Sequence, residues 1–555
     1  MLNKLILILF FTFESGLFCQ EININKYKIE KTNIKSRPLY EIGNLENGEL
    51  NEITKFFEEK KFGEVFEFYK KLPTKNKNYT IEKLVHQILK AKLNIKENIS
   101  QEQDRLLFEL RVDKLFEMGK FTDIDNFYTQ LPPNYVNDFI NIKRIEAYLL
   151  RNEFKNACSL IREEKIRKTF KLGKFDIICS IVDQEFEKAR FNLELLKELN
   201  VPGDTFFIEL AYKIMGDIEI SEEEVVEKNL EKFTNLTPIL SSYLQIAEIS
   251  PTFENIKEAP VSSLIFILSS PTTSSEIKLY CAERLVRLNR ITPNILAEVY
   301  QLSRFTNEEI ENVFEIYKTL SPVRSRSILY QAIVKEVDPE IKFKLIKLLL
   351  MNAKKHKLFA SISEILKDSM TYKNLQNLSL LDKVLILEIY SVNYQFNEAR
   401  DFIKKLSRDK EIIKKELYLK LIENVNLSFS LEEFDTNNLV TSENNFSLKE
   451  FNNILIIYAL KNKLNQDLVE VLSILKDETQ RSEMTINFTD FLSVISSDEF
   501  SKFYFLKKFF NIVEGRDLND LNNIEKFTIL KIMMILGLEN NFTDLQKELI
   551  KIAYD

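Results

Sequence analysis

Most catalytic and metal centres draw on histidine, cysteine and glycine, and this chain is poor in all three. Its 555 residues include 2 His, 4 Cys and 10 Gly. His86 lies in Leu84-Val85-His86-Gln87-Ile88, and His356 lies in Lys354-Lys355-His356-Lys357. Neither has a Cys, His or carboxylate at zinc-ligand spacing. Neither sits on a strand-to-helix turn or a recognisable nucleophile loop. Both read as half-buried or surface helix positions. With so few Gly, a loop that cradles phosphate can hardly be built. Beyond Cys19 the chain carries Cys158, Cys179 and Cys281, with no CxxC pair. Cys158 and Cys179 fall on apolar helical faces, which reads as buried free thiols. A Cys158–Cys179 bridge between adjacent helices is the alternative, because an exported chain permits it.

The 84 acidic residues make carboxylate pairs too common to inform. Ser221-Glu222-Glu223-Glu224 reads as a capping box at a solvated helix start rather than a cation site. The basic clusters Lys354–Lys357 and Lys410–Lys415 are short or mixed in sign and read as solvated faces. A lysozyme-like lyase domain, as in murein lyases that carry a helical superhelix, needs Gly-rich segments that the C-terminal third lacks. No catalytic, cofactor-binding or metal-ligating residue is nominated, and the chain is not expected to be an enzyme. A net charge of −7 with interspersed signs disfavours nucleic acid, which would want a basic stripe.

The elements that would position any site are helices. Gly and the 12 Pro are both scarce, and Leu, Ile, Lys, Glu, Asn and Phe abound. The Lys, Asn, Ile and Phe excess also fits the codon bias of an AT-rich bacterial genome. A short pattern recurs: Phe62-x-x-Val65, Phe121-x-x-Ile124, Phe154-x-x-Ala157, Phe186-x-x-Ala189 and Phe396-x-x-Ala399. The Phe is expected two or three residues into a helix, sharing a face with the small residue that lets a neighbour approach. The Phe positions step by 59, 33 and 32 over residues 62 to 186. A step near 33 suits one helical hairpin. Leu72-Pro73 and Leu131-Pro132 end two helices 59 residues apart, in step with the Phe residues. The pattern resembles tetratricopeptide-like repeats, although the chain has no Trp and lacks that family's full motif. The resemblance implies a curved all-α solenoid of stacked antiparallel helical hairpins, degenerate in sequence, over roughly 50 to 200 and again near 380 to 410.

The chain then divides as follows. Residues 1–19 read as a signal peptide: a basic start, the apolar run Leu5–Phe13, and a cut after Cys19. Acylation of Cys19 as a lipid anchor and an uncleaved membrane anchor are the alternatives. Residues 20–48 form an extended leader that drapes over the first helices or stays mobile. Residues 49–200 carry the repeats, and Pro202-Gly203 interrupts them. The array continues over 201–410, where Thr273/Glu276 and Thr306/Glu309 are expected capping boxes. Thr292-Pro293 and Ser321-Pro322 are expected helix starts. Residues 411–555 hold C-terminal repeats and a capping helix near Phe542–Tyr554, with starts at Ser430/Glu433 and Ser447/Glu450 and Asn-rich turns between. No apolar run after the signal approaches the 18 residues of a membrane span. Two stretches, Ala282–Arg290 and Ser321–Ala332, are similar to a group of exported helical proteins of alphaproteobacteria. That resemblance implies an envelope location and no assigned activity.

The expected function is an exported, periplasmic protein-interaction scaffold whose concave face binds partner proteins or extended peptides. A helical accessory or regulatory subunit of a cell-wall enzyme and a lipid-anchored structural protein are the alternatives.

Overall fold

The five Phe residues of the pattern each take the first position of a helix, not the second or third. Those helices are Phe62–Lys71, Phe121–Thr129, Phe154–Arg162, Phe186–Glu198 and Phe396–Ile403. Four of the five are opened by one turn type. Gly119, Asn152, Gln184 and Tyr394 adopt φ between 57° and 71°, two residues before the Phe. The next residue donates its N–H back to the helix just ended: Lys120 to Leu115, Glu153 to Tyr148, Glu185 to Ser180 and Gln395 to Tyr390. This hydrogen-bond pattern satisfies carbonyls left open at a helix end. That same residue has a non-helical backbone, and the Phe after it starts the next helix. The two helices flanking each turn pack together. The small residue three positions on is fully buried in Val65, Ala157, Ala189 and Ala399 and nearly so in Ile124. A sixth copy, Phe359-x-x-Ile362, joins the five. Lys357 takes φ 55°, Leu358 donates to Ala353, and Phe359–Leu366 follows with Ile362 buried.

The computed structural model describes residues 37–427 and 501–554, apart from 44–48, 59, 75–77, 96–97, 133–134, 136, 164–169, 200–204, 222, 225–236, 258, 260, 370–377 and 408. The signal peptide, Cys19, most of the leader, the starts at Ser430 and Ser447 and the Asn-rich turns lie outside the described residues. The described part is all-helical, with no strand. None of its helices is long and apolar enough to cross a membrane.

The start signals are mostly placed as expected, with one displaced. Thr306 and Glu309 form a full capping box, and Ser221 and Glu224 exchange the same two hydrogen bonds. Thr292 and Ser321 precede Pro at the first helical position, but neither hydroxyl makes the expected capping hydrogen bond. Thr273/Glu276 is corrected: the N-cap is Ser274, which accepts from the Ile277 N–H. Glu276 instead accepts from the Ser321 hydroxyl at 2.5 Å, tying two helix starts together.

Residues 38–555 cluster as one unit. The last piece of the leader is pinned to it: Leu39 and Tyr40 donate their N–H groups to the two Asp104 oxygens at 2.7 and 2.8 Å. Gly43 is required there, because a Cβ would stand 2.6 Å from the Lys90 carbonyl oxygen. The expected helix near Phe542–Tyr554 exists as Glu539–Tyr554, but it does not cap a free end. It packs on Tyr79–Lys90, Phe359–Leu366 and Leu380–Val392. Lys502–Val513 likewise returns to the first helices, with Phe503 5.7 Å from Phe57 and 5.4 Å from Phe68, ring to ring. The C-terminal helices therefore bury apolar rings shared with residues about 440 positions earlier.

Candidate binding cleft

Two of the left-handed turns reach the same place as the returning helix. The helix Ser275–Arg287 ends in a turn with Asn289 at φ 51°, which projects Asn289 and Arg290. The helix Leu380–Val392 ends in a turn that holds Tyr394. Between these turns, Lys367 and the C-terminal helix lies a cleft of about 400 Å3. The helix contributes Asp544, Lys547, Glu548 and Lys551. Their spacing of three or four places them on one face. The volume is within the range of small-ligand sites.

Electrostatics at the back of the cleft are set by burial. Glu548 accepts from the Thr80 N–H and from Asn289 Nδ2, both at 3.3 Å, through one oxygen. Its other oxygen is buried without a hydrogen-bond partner. Burial pushes its carboxyl up to about 7, opposed by those hydrogen bonds and by Arg290. Arg290 in turn pairs with Glu82, both nearly fully buried, and Glu82 also meets Lys120 at 3.3 Å. Burial holds the Arg290 guanidinium below its ordinary range. Asp544 is paired to Lys83 at 2.7 Å. The Tyr394 hydroxyl is buried without a partner, and burial pushes it up to about 12. These groups come from residues 79–83, 289–290, 394 and 544–551, so no local pattern could have assembled them.

The stretches that carried the second resemblance build a different feature. Arg326 donates to both Glu283 oxygens, Nε at 2.7 Å and Nη2 at 2.6 Å, and its Nη1 donates to Asn352 at 2.7 Å. The Tyr300 hydroxyl donates to Glu283 at 2.8 Å. Arg284 caps the end of Phe253–Lys257, donating to the Ile256, Lys257 and Ala259 carbonyls. The Glu283–Arg326 cluster is closed to solvent and hydrogen-bonded on both sides, which suits fixing helix register better than chemistry.

His86 has no carboxylate at zinc-ligand spacing in the sequence, and in the fold its Nε2 lies 2.6 Å from Asp123 Oδ2. The partner is 37 residues away, beyond any ligand-spacing search. Asp123 is held below the usual carboxylate range by His86, Lys90 and Lys120, against its own burial. His356 follows the helix Pro339–Lys355, and burial near Arg326 lowers it. Lys354 and Lys415, one from each basic cluster, both reach Glu388, at 3.3 and 2.7 Å. Among the described residues no three His, Cys, Asp or Glu side chains converge on one point.

The free-thiol reading of Cys158 and Cys179 is corrected: they are disulfide-bonded. They sit on the consecutive helices Phe154–Arg162 and Phe170–Val182, with Cα atoms 5.5 Å apart, inside disulfide reach. Cys281 is free and buried, and burial pushes its thiol up to about 12. Thiol labelling of protein taken from cells checks this. Cys158 and Cys179 should gain label only after reduction, and Cys281 only after unfolding. Labelling of Cys158 in the native, unreduced protein would contradict the bridge.

No family model matches the chain, and neither a curated protein nor a solved structure matches it.

Proposed function

We infer that the chain is an exported, non-enzymatic helical-repeat protein that serves as a protein-interaction scaffold in a bacterial envelope. Its helical hairpins would stack as a tetratricopeptide-like solenoid whose far end returns to its beginning. The observation that carries the binding role is an exposed apolar cluster. Gln331 Nε2 donates to the Tyr300 and Ser303 carbonyls, which sets the end of Pro322–Lys335 beside the end of Pro293–Leu302. There Leu302 is 79% exposed, Val334 52% and Val337 90%. Exposed apolar side chains gathered at one place mark interaction sites. The Cys158–Cys179 bridge supports export, since such bonds persist in oxidising compartments. The apolar run Leu5–Phe13 supports it from the sequence side.

Photo-crosslinking residues placed at 302 and 337 in cells test the reading. One envelope protein should be captured at both positions and not from the exposed polar positions 187 and 404. Equal capture at all four, or at none, would remove the scaffold. Recovery of a cell-wall enzyme as the captured protein would turn it into the accessory-subunit role. Labelled palmitate on Cys19 would add the lipid anchor.

A further inference from the structure

We propose that the cleft between Asn289, Lys367, Tyr394 and the C-terminal helix is a binding site for a small polyanion bearing phosphate or carboxylate groups. The proposal is independent of any protein partner.

The charge inventory of the cleft carries it. Its cations are Lys367, Lys547 and Lys551, and none of them forms an ion pair among the described residues. Lys83, which faces the same helix, is committed to Asp544. Arg290 behind the wall is committed to Glu82. The carboxylates are Glu364, Asp544 and Glu548. Asp544 is neutralised by Lys83, and Glu548 is buried with one oxygen already accepting two hydrogen bonds. Three uncommitted ammonium groups thus face one uncommitted surface carboxylate, Glu364, and the buried Glu548.

The neutral groups agree. Asn393 Nδ2 is spent on the Ser363 and Ile389 carbonyls, and Asn289 Nδ2 on Glu548. Tyr394 lines the cleft, and its hydroxyl, closed to solvent, has no hydrogen-bond partner among the described residues. Buried polar atoms in native proteins nearly always find a partner, and this hydroxyl lacks one. A hydroxyl that can donate, beside ammonium groups, selects an acceptor-rich anion. Ammonium groups act as point charges without the fork geometry of a guanidinium, so they read charge more than shape. That is why phosphate and carboxylate share the assignment. A cleft of about 400 Å3 holds a small molecule and no folded segment.

Isothermal titration of the full chain at low salt, with inorganic pyrophosphate and separately with citrate, tests the site. One site is expected for at least one of them, weakened at least tenfold in the Lys547→Met/Lys551→Met double variant and severalfold in Tyr394→Phe. A Lys404→Met/Lys405→Met control, in the turn after Phe396–Ile403 and outside the cleft lining, should bind as the parent does. Circular dichroism confirms that each variant folds. Flotation with phosphatidylglycerol vesicles separates the sources. Vesicle binding that depends on Lys547 and Lys551, with no free anion bound, identifies a lipid headgroup as the anion. No binding in any arm, or losses as large in the control pair, would overturn the proposal.

Discussion

Arg326→Met should cost about 3 to 5 kcal/mol of folding stability, the largest single loss we expect in this chain. The change removes a guanidinium that is 1% exposed and engages both oxygens of Glu283 and the side chain of Asn352. What remains is a buried carboxylate whose one surviving side-chain donor is Tyr300. The cost comes from that stranded charge more than from the lost attraction, and this gives the test its discriminating arm. Replacing both partners, Glu283→Leu with Arg326→Met, removes the stranded carboxylate and should recover much of the loss, less what the neighbouring buried Arg287 loses with Glu283. Urea denaturation of the parent, the single variant and the double variant measures both numbers. A single variant that loses under about 1 kcal/mol, or a double variant no better than the single, would mean that the pair is not a closed buried unit.

The same pair marks where the sequence stops being informative. Ala282–Arg290 and Ser321–Ala332 stand out as composition, but nothing in them says that Glu283 and Arg326 meet. Helical period locates a face, not the residue 43 positions away that covers it. Local grammar is more legible. The Phe-x-x-small pattern marks helix starts because the small residue must be buried where the paired helix comes closest, as Ala157, Ala189 and Ala399 are. The Phe stands at the first helical position, shallower than expected, because of the turn before it. The left-handed position is filled by Asn152, Gln184 and Tyr394 as well as by Gly119, so a search for Gly would find one turn of four. Lys357 fills the same position before Phe359. Thr273 loses the cap to Ser274 because the two hydroxyls are adjacent, and the choice depends on where Glu276 points in three dimensions. The return of Glu539–Tyr554 onto Tyr79–Lys90 is invisible in sequence, since an apolar helix face looks alike whether it caps an end or closes a chain. The cleft is invisible with it.

Glu548→Gln should stabilise the protein above neutral pH and do little in acid. The carboxyl of Glu548 titrates at about 7 in the folded chain against an ordinary value of 4.5, because it is buried beneath Thr80 and Asn289. The folded state therefore holds this proton more tightly than the unfolded state does. Its favourable contribution is complete below pH 4.5, is lost as pH rises towards 7, and stays lost above that. The full swing is about 3 kcal/mol. The glutamine side chain keeps the oxygen that accepts from Thr80 and Asn289 and carries no charge at any pH, so the variant should lack this slope. His356 bends the parent curve the other way. Its folded value is lowered by burial, so it adds stability above its unfolded range and loses it as pH falls. The difference between parent and variant cancels His356 and isolates Glu548. Urea midpoints from about pH 4.5 to about pH 8.5 should coincide at the acid end and separate in favour of the Glu548→Gln variant as the pH passes neutrality. Parallel curves would show that Glu548 is ionised throughout, and with that the closure of the C-terminal helix over Thr80 and Asn289 would have to be looser than the hydrogen bonds at 3.3 Å describe.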